Sequence, residues 1–192
     1  MTQIILASKS PYRKNLLSQI LDQFECVNSQ IDEAILKNQI KEPVELSVKL
    51  SQEKAIKVQE RHKDSIIIGS DQVCYFNNQI LGKPKTQSNA ERMLNEMQGS
   101  SHQLITSYAI YKDSKIITHT NITTLTMRTL TPQQVLDYIK QDSPLDCAGS
   151  YKLEQKGIAL FEKVETCDHT AIIGLPLIQL TTDLIKLGAK IL

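Results

Sequence analysis

The chain has 192 residues, of which 22 are basic and 21 acidic, and its 41% hydrophobic content is enough to bury a sizeable core. A net charge of +1 excludes a global field for nucleic acid or an anionic membrane, so any anion site must be local. No apolar run reaches membrane-spanning length and the chain begins on a strand pattern rather than a signal or transit peptide, so one cytoplasmic domain over residues 1–192 is expected.

Residues 4–7 form a short apolar run followed by Ser8-Lys9-Ser10-Pro11, and apolar residues then recur at helical spacing over 12–21. This predicts strand, loop and helix, with Ser10 as N-cap and Pro11 at the first helical position. Lys9, Arg13 and Lys14 beside that helix start fit either an anion site or a capped surface helix with solvated cations. Residues 24–27 predict a second strand. Residues 29–39 read as polar and irregular, with Asp32 and Glu33 adjacent, a pair able to hold a divalent metal or to stand in solvent.

The spacing of Val44, Leu46, Val48, Leu50, Ala55, Ile56 and Val58 predicts a long amphipathic helix over 43–62, which carries Lys54. Ile66-Ile67-Ile68 predicts a strand covered on both faces that ends on Gly69, Ser70, Asp71 and Gln72. A turn at Asn77-Asn78 leads to Ile80-Leu81 and Gly82-Lys83-Pro84. Asp71 and Lys83 on such a hairpin can face one cavity or can both be solvated. A helix over 88–98 capped by Ser88, two long strands over 104–111 and 115–130, and a helix from Thr131-Pro132 to 141 follow. Short strands over 158–161 and 171–173 and a final helix over 177–187 complete the reading. Alternating helices and strands around an antiparallel middle predict an α/β fold with a mixed, twisted central sheet flanked by helices. Cys26, Cys74, Cys147 and Cys167 lack CxxC spacing and the four histidines are scattered, which favours free, mostly buried thiols over a zinc site or disulfides.

Leu6-Ala7-Ser8-Lys9-Ser10-Pro11-Tyr12-Arg13 resembles the opening loop of the Maf family of nucleotide pyrophosphatases, with Tyr12 where many members have Arg. Gly69-Ser70-Asp71-Gln72-Val73, Ile80-Leu81-Gly82-Lys83-Pro84 and Gly174-Leu175-Pro176 resemble three further motifs of that family, in order and at its spacing. Ser70-Asp71-Gln72, Cys147-Ala148-Gly149-Ser150 and Glu154 are similar to the YceF-type subgroup that acts on 7-methyl-GTP, which commonly has Trp at the position of Tyr12. The resemblance implies a Maf and ITPase-like fold with the active-site cleft between two lobes, and hydrolysis between the α and β phosphates with Mg2+ or Mn2+ present.

It also implies roles. Asp71 would be the general base and a metal contact, with Glu33 a second metal candidate. Ser8, Arg13, Lys54 and Lys83 would hold the triphosphate, and Tyr12, Gln72 and Glu154 would read the base. The expected partner is a small-molecule nucleotide rather than a nucleic-acid polymer or a membrane, with a homodimer as an option. A dTTP, UTP or other non-standard nucleotide specificity, and a nucleotide-binding role in cell division without catalysis, are the alternatives.

Overall fold

Strand β1 (Ile4–Leu6) lies parallel to β2 (Glu25–Cys26) and to β3 (Ile66–Phe76), with Ile4, Ile5 and Leu6 opposite Ile66, Ile67 and Ile68. This is seen in a computed structural model that describes residues 2–191. The chain forms two compact units. The first comprises the residues up to Gln72, Thr106–Asn121 and those from Asp168 onward; the second comprises Val73–Ile105 and Ile122–Cys167.

In the first unit the strand order is β2-β1-β3-β5-β6, where β5 (Ser101–Lys112) and β6 (Lys115–Met127) meet at a tight turn with Asp113 and Ser114 in the left-handed region. One face packs Ile4, Leu6, Ile66, Ile68 and Tyr108 on Leu16 and Leu17 of helix α1 (Pro11–Leu17) and on Leu177, Leu180 and Leu184 of the C-terminal helix. The other packs Ile5, Ala7, Ile67 and Ala109 on Ala55 and Val58 of a long helix, α3 (Pro43–Gln59). The isoleucine run is thus covered on both faces, as expected for its lack of alternation.

In the second unit Asn77 and Asn78, both with positive φ, turn β3 into β4 (Gln79–Leu81), and Cys74, Tyr75 and Phe76 pair antiparallel with Leu81, Ile80 and Gln79. Parts of β5 and β6 continue the sheet to β7 (Phe161–Glu165), which runs antiparallel to β6, with α4 (Gln87–Met97) and α5 (Pro132–Asp142) beside them. A mixed sheet flanked by helices is therefore observed.

Several local expectations are corrected. Residues expected to be irregular contain α2 (Glu33–Gln39), because Asp32 caps it through Ala34 N (3.0 Å) and Glu33 pairs with Lys37 one turn on. Helix α4 is capped by Thr86, not Ser88. Residues 156–160 form a 3-10 turn that precedes β7 rather than a strand. Residues 170–173 form a helical turn, α6 (Thr170–Ile173), since Asp168 bonds Thr170 N and draws the backbone into a turn before any strand can form. The four cysteines are free, and Cys26 and Cys167 are exposed, so burial holds for only part of the set. Among the described residues no helix is long and apolar enough to cross a membrane.

On β5 in the second unit, His102 is 3% exposed and its neighbours are the rings of Tyr151 and Phe161. Burial holds its imidazole down at about 4, below the ordinary 6.5. Because the folded value lies below the unfolded one, this group's stabilisation is complete above pH 6.5 and declines as pH falls towards 4. The gap corresponds to about 3 kcal/mol. Urea unfolding at pH 7, 5.5 and 4 is expected to show that decline, and a His102→Gln chain to show less of it; identical slopes for the two chains would mean that His102 accepts a proton in the folded state.

Candidate active site

The centre of the first unit's polar cluster is Lys54. It lies on α3, and α3 can approach β3 only because Gly69 has no side chain. A Cβ at Gly69 would collide with the Ser51 carbonyl oxygen and come within 2.8 Å of the Ala55 nitrogen. The facing positions of α3 are small, Ser47, Ser51 and Ala55, all buried, and Ser47 Oγ donates to the Asp71 carbonyl at 3.2 Å. Two residues beyond Gly69, the Asp71 carboxylate meets the Lys54 ammonium at 2.6 Å, and both side chains are 9% exposed. Contrary to expectation, strand β3 does not end on this carboxylate but runs on to Phe76, so Asp71 sits mid-strand.

The same ammonium reaches Glu33 Oε1 at 2.7 Å. Burial alone would raise the Glu33 carboxyl, but the charges and hydrogen bonds of Lys54 and Lys37 outweigh it and hold the group at about 2. The adjacent acids therefore divide their roles: Asp32 caps α2, and Glu33 turns to Lys54.

Arg13 joins this cluster from the other side. Ser10 Oγ caps α1 by accepting from Arg13 N at 3.4 Å, while the buried Ser8 Oγ accepts from Ser10 N at 3.1 Å and shapes the preceding loop. The Arg13 Nε donates to the Gly174 carbonyl at 2.9 Å, which fixes the plane of the guanidinium. Burial lowers the Arg13 pKa, and the negative charges of Asp71 and Glu33 oppose that fall, so all three share one field. Gly174 has a φ of 125°, which favours glycine, and a Cβ there would stand a tight 3.3 Å from Arg13 Nε.

Ser70 and Gln72 flank Asp71 and are tied inward. Ser70 Oγ lies 2.9 Å from the carbonyl oxygens of both Ser107 and Gly174. Gln72 Nε2 lies within 3.0 Å of Thr106 Oγ1 and the carbonyls of Ala171 and Ile172. Two carbonyl acceptors require the nitrogen rather than the oxygen at that position, so Gln72 anchors α6, and contact with a base would fall to its Oε1. Tyr12 is half-buried on α1.

Lys83 and Glu154 belong to the second unit. Lys83 follows β4 and is exposed; Glu154 is exposed in the turn after Tyr151. The first unit thus brings together Asp71, Lys54, Glu33 and Arg13, with Ser8 in the loop before α1.

The sequence reading missed several supporting residues. Asp168 accepts from Thr170 N, Thr170 Oγ1 and Ile178 N, and Thr170 Oγ1 accepts from Leu177 N, so these two cap the final helix, α7 (Leu177–Lys186), in place of the Pro176 side chain. The Asp-x-Thr spacing was a signal for this turn. No local pattern marks Ser70 as a partner of Gly174.

Asp71 and Glu33 offer hard oxygen donors around one point, which the Lys54 ammonium occupies, so Mg2+ or Mn2+ would have to take its place there. Among the described residues no group of three acids, histidines or cysteines surrounds that point. Such a cation would complete its shell with water and phosphate oxygens, the usual habit of Mg2+.

The first unit is thus a mixed α/β sheet carrying a buried carboxylate, Asp71, paired with Lys54 and within the field of Arg13. The chain belongs to the Maf family, whose model, described as Maf-like protein, matches residues 3–187. It is 42% identical to a 7-methyl-GTP pyrophosphatase of Bdellovibrio bacteriovorus, covering 93% of each chain. It is 38% identical to a 7-methyl-GTP pyrophosphatase of Aliivibrio fischeri, covering all of this chain and 99% of that one. Its fold is like that of a HAM1 protein from Coxiella burnetii, with a TM-score of 0.54 at 14% identity, over 97% of this chain and all of the other.

Proposed function

We propose that the chain hydrolyses 7-methyl-GTP to 7-methyl-GMP and pyrophosphate, in the cytoplasmic nucleotide pool. The observation that carries the chemistry is the buried Asp71 beside Lys54, in a chain alike over its length to two 7-methyl-GTP pyrophosphatases. Asp71 accepts a proton from water as the water oxygen bonds to the α phosphorus; the α–β bridging bond breaks and pyrophosphate leaves with the electron pair. The Lys54 ammonium occupies the Asp71 oxygen that it bonds. The triphosphate competes for Lys54, draws it onto phosphate oxygens and frees Asp71 for the proton. Arg13, held in plane by Gly174, presents paired donors to the phosphates, with Ser8 and Lys83 as further contacts. A divalent cation on Asp71 and Glu33 would supply additional neutralisation of phosphate charge.

Base selection falls to Glu154, whose carboxylate suits the N–H edge of a guanine made cationic by N7-methylation, with Tyr12 as a stacking face. Glu154→Ala is expected to lower the ratio of kcat/KM for 7-methyl-GTP over dTTP by about one to two decades. Pyrophosphate release from a panel of methylated and unmethylated nucleotides tests both points. A wild-type ratio below one would sink the 7-methyl-GTP reading and favour a pyrimidine triphosphate. Light scattering decides whether a second copy of the chain is also a partner.

A further inference from the structure

The segment that carries Glu154 is held at both ends by polar contacts within the second unit, and the most buried of them is a hydrogen bond between two core rings. Before Glu154, Gly149 and Ser150 take left-handed backbone conformations, with φ values of 78° and 65°. A Cβ at Gly149 would stand 3.0 Å from Cys74 Sγ and 2.9 Å from the Tyr151 ring. Ser150 Oγ donates to Met93 Sδ at 3.2 Å, and Lys152 N donates to Tyr138 Oη at 2.9 Å. After Glu154, Gly157 N donates to Asp142 Oδ2 at 3.1 Å, and Gly157 packs so tightly on the Lys152 carbonyl that no side chain would fit.

Between these anchors Tyr151 points inward, edge-on to Phe161 at 4.8 Å between ring centres, and its hydroxyl bonds His102 Nε2 at 2.7 Å. His102 Nδ1 is the one buried side-chain polar atom without a partner among the described residues. A histidine buried with half its hydrogen-bonding capacity unmet is costly where phenylalanine or leucine would fill the space, so its remaining bond matters beyond packing.

We infer that the His102–Tyr151 bond is a specificity-determining contact: the two are positioning residues that fix the turn presenting Glu154 and thereby set base selectivity without touching the nucleotide. The inference rests on the base-reading role proposed for Glu154. A carboxylate three residues from Tyr151, on an otherwise exposed turn, would sample many orientations. Anchoring the turn at Tyr151 removes that freedom before substrate arrives.

Tyr151→Phe deletes one oxygen and keeps the ring, and His102→Leu deletes the other partner; His102→Gln keeps a polar atom near the position of Nε2. The first two are expected to lower the ratio of kcat/KM for 7-methyl-GTP over dTTP by about three- to tenfold while dTTP turnover changes little, and His102→Gln to restore most of the ratio. In a Glu154→Ala background, Tyr151→Phe should add no further loss of selectivity, because the side chain it positions is gone. Amide hydrogen exchange over residues 152–157 should quicken in Tyr151→Phe. Equal losses on both nucleotides, additive losses in the double variant, or unchanged exchange would each overturn the inference. Glu154→Ala with a wild-type ratio would overturn the base-reading role and the selectivity part of this proposal; faster exchange in Tyr151→Phe together with that result would locate the fault in the role of Glu154 rather than in the anchor.

Discussion

Asp71→Asn is expected to lower kcat for every hydrolysed nucleotide by about 10² to 10⁴, the range for loss of a general base, while the protein stays folded. The substitution keeps the shape of the side chain and removes its ability to take a proton. It also removes one of the two negative partners of a nearly buried ammonium, and an unpaired buried charge is strongly destabilising. Here Glu33 remains 2.7 Å from Lys54. The melting temperature should therefore fall modestly rather than collapse. Nucleotide affinity should hold or rise, because one negative charge beside the phosphates has gone and Lys54 is easier to draw away. The measurements are pyrophosphate release at saturating nucleotide, a melting curve, and equilibrium binding of the uncleaved nucleotide. Wild-type turnover by the variant would remove Asp71 from the mechanism, and loss of binding along with turnover would make it a binding residue instead.

Glu33 shows where local sequence pattern stopped short. Its neighbour Asp32 is as acidic and as close to any hypothetical metal, and nothing in the sequence separates the two. The separation comes from α2, where one acid becomes the cap and the next faces α3. That helix lacks a buried apolar residue, so its periodicity is weak and it was read as irregular. Tertiary pairing of Glu33 with Lys54 and a cap stabilise what propensity alone did not signal.

The opposite holds for the isoleucine run and the two asparagine or aspartate turns. There, complete apolarity and residues that tolerate positive φ are local properties, and the structure follows them closely. Of the clustered residues, Asp71 and Arg13 were legible through motifs, Lys54 and Glu33 only as charged residues with a solvated alternative, and their arrangement was not legible at all. Lys54 and Asp71 are 17 residues apart, and Arg13 and Gly174 are 161 apart. Only the packing of α3 on β3, and of the α1 loop on the turn at Gly174, brings those pairs within hydrogen-bond distance. Residues 171–173 read as a strand because Ala-Ile-Ile fits a buried strand by composition. The competing signal, Asp168 with Thr170, is a hydrogen-bonded turn that outweighs it.

Gly69→Ala is expected to cost about 3 kcal/mol or more, at or beyond the upper end for overpacking a core, because the added methyl meets backbone rather than a movable side chain. For a chain of this size that corresponds to a fall in melting temperature of roughly 6 to 12 °C. The collision is with the Ser51 carbonyl and the Ala55 nitrogen, so α3 must move outward as a unit. Lys54 immediately precedes Ala55 and would be carried with it away from Asp71. A displacement of about 1 Å at a catalytic group can cost 10²-fold in rate, so turnover should drop even well below the new melting temperature. Gly82→Ala provides the control, since a Cβ at Gly82 meets nothing within 4 Å. Melting curves and kcat for the two variants decide the matter. A Gly69→Ala chain with wild-type stability and turnover would show that α3 has room to spare against β3, and that the close approach of helix to strand does not set the position of Lys54.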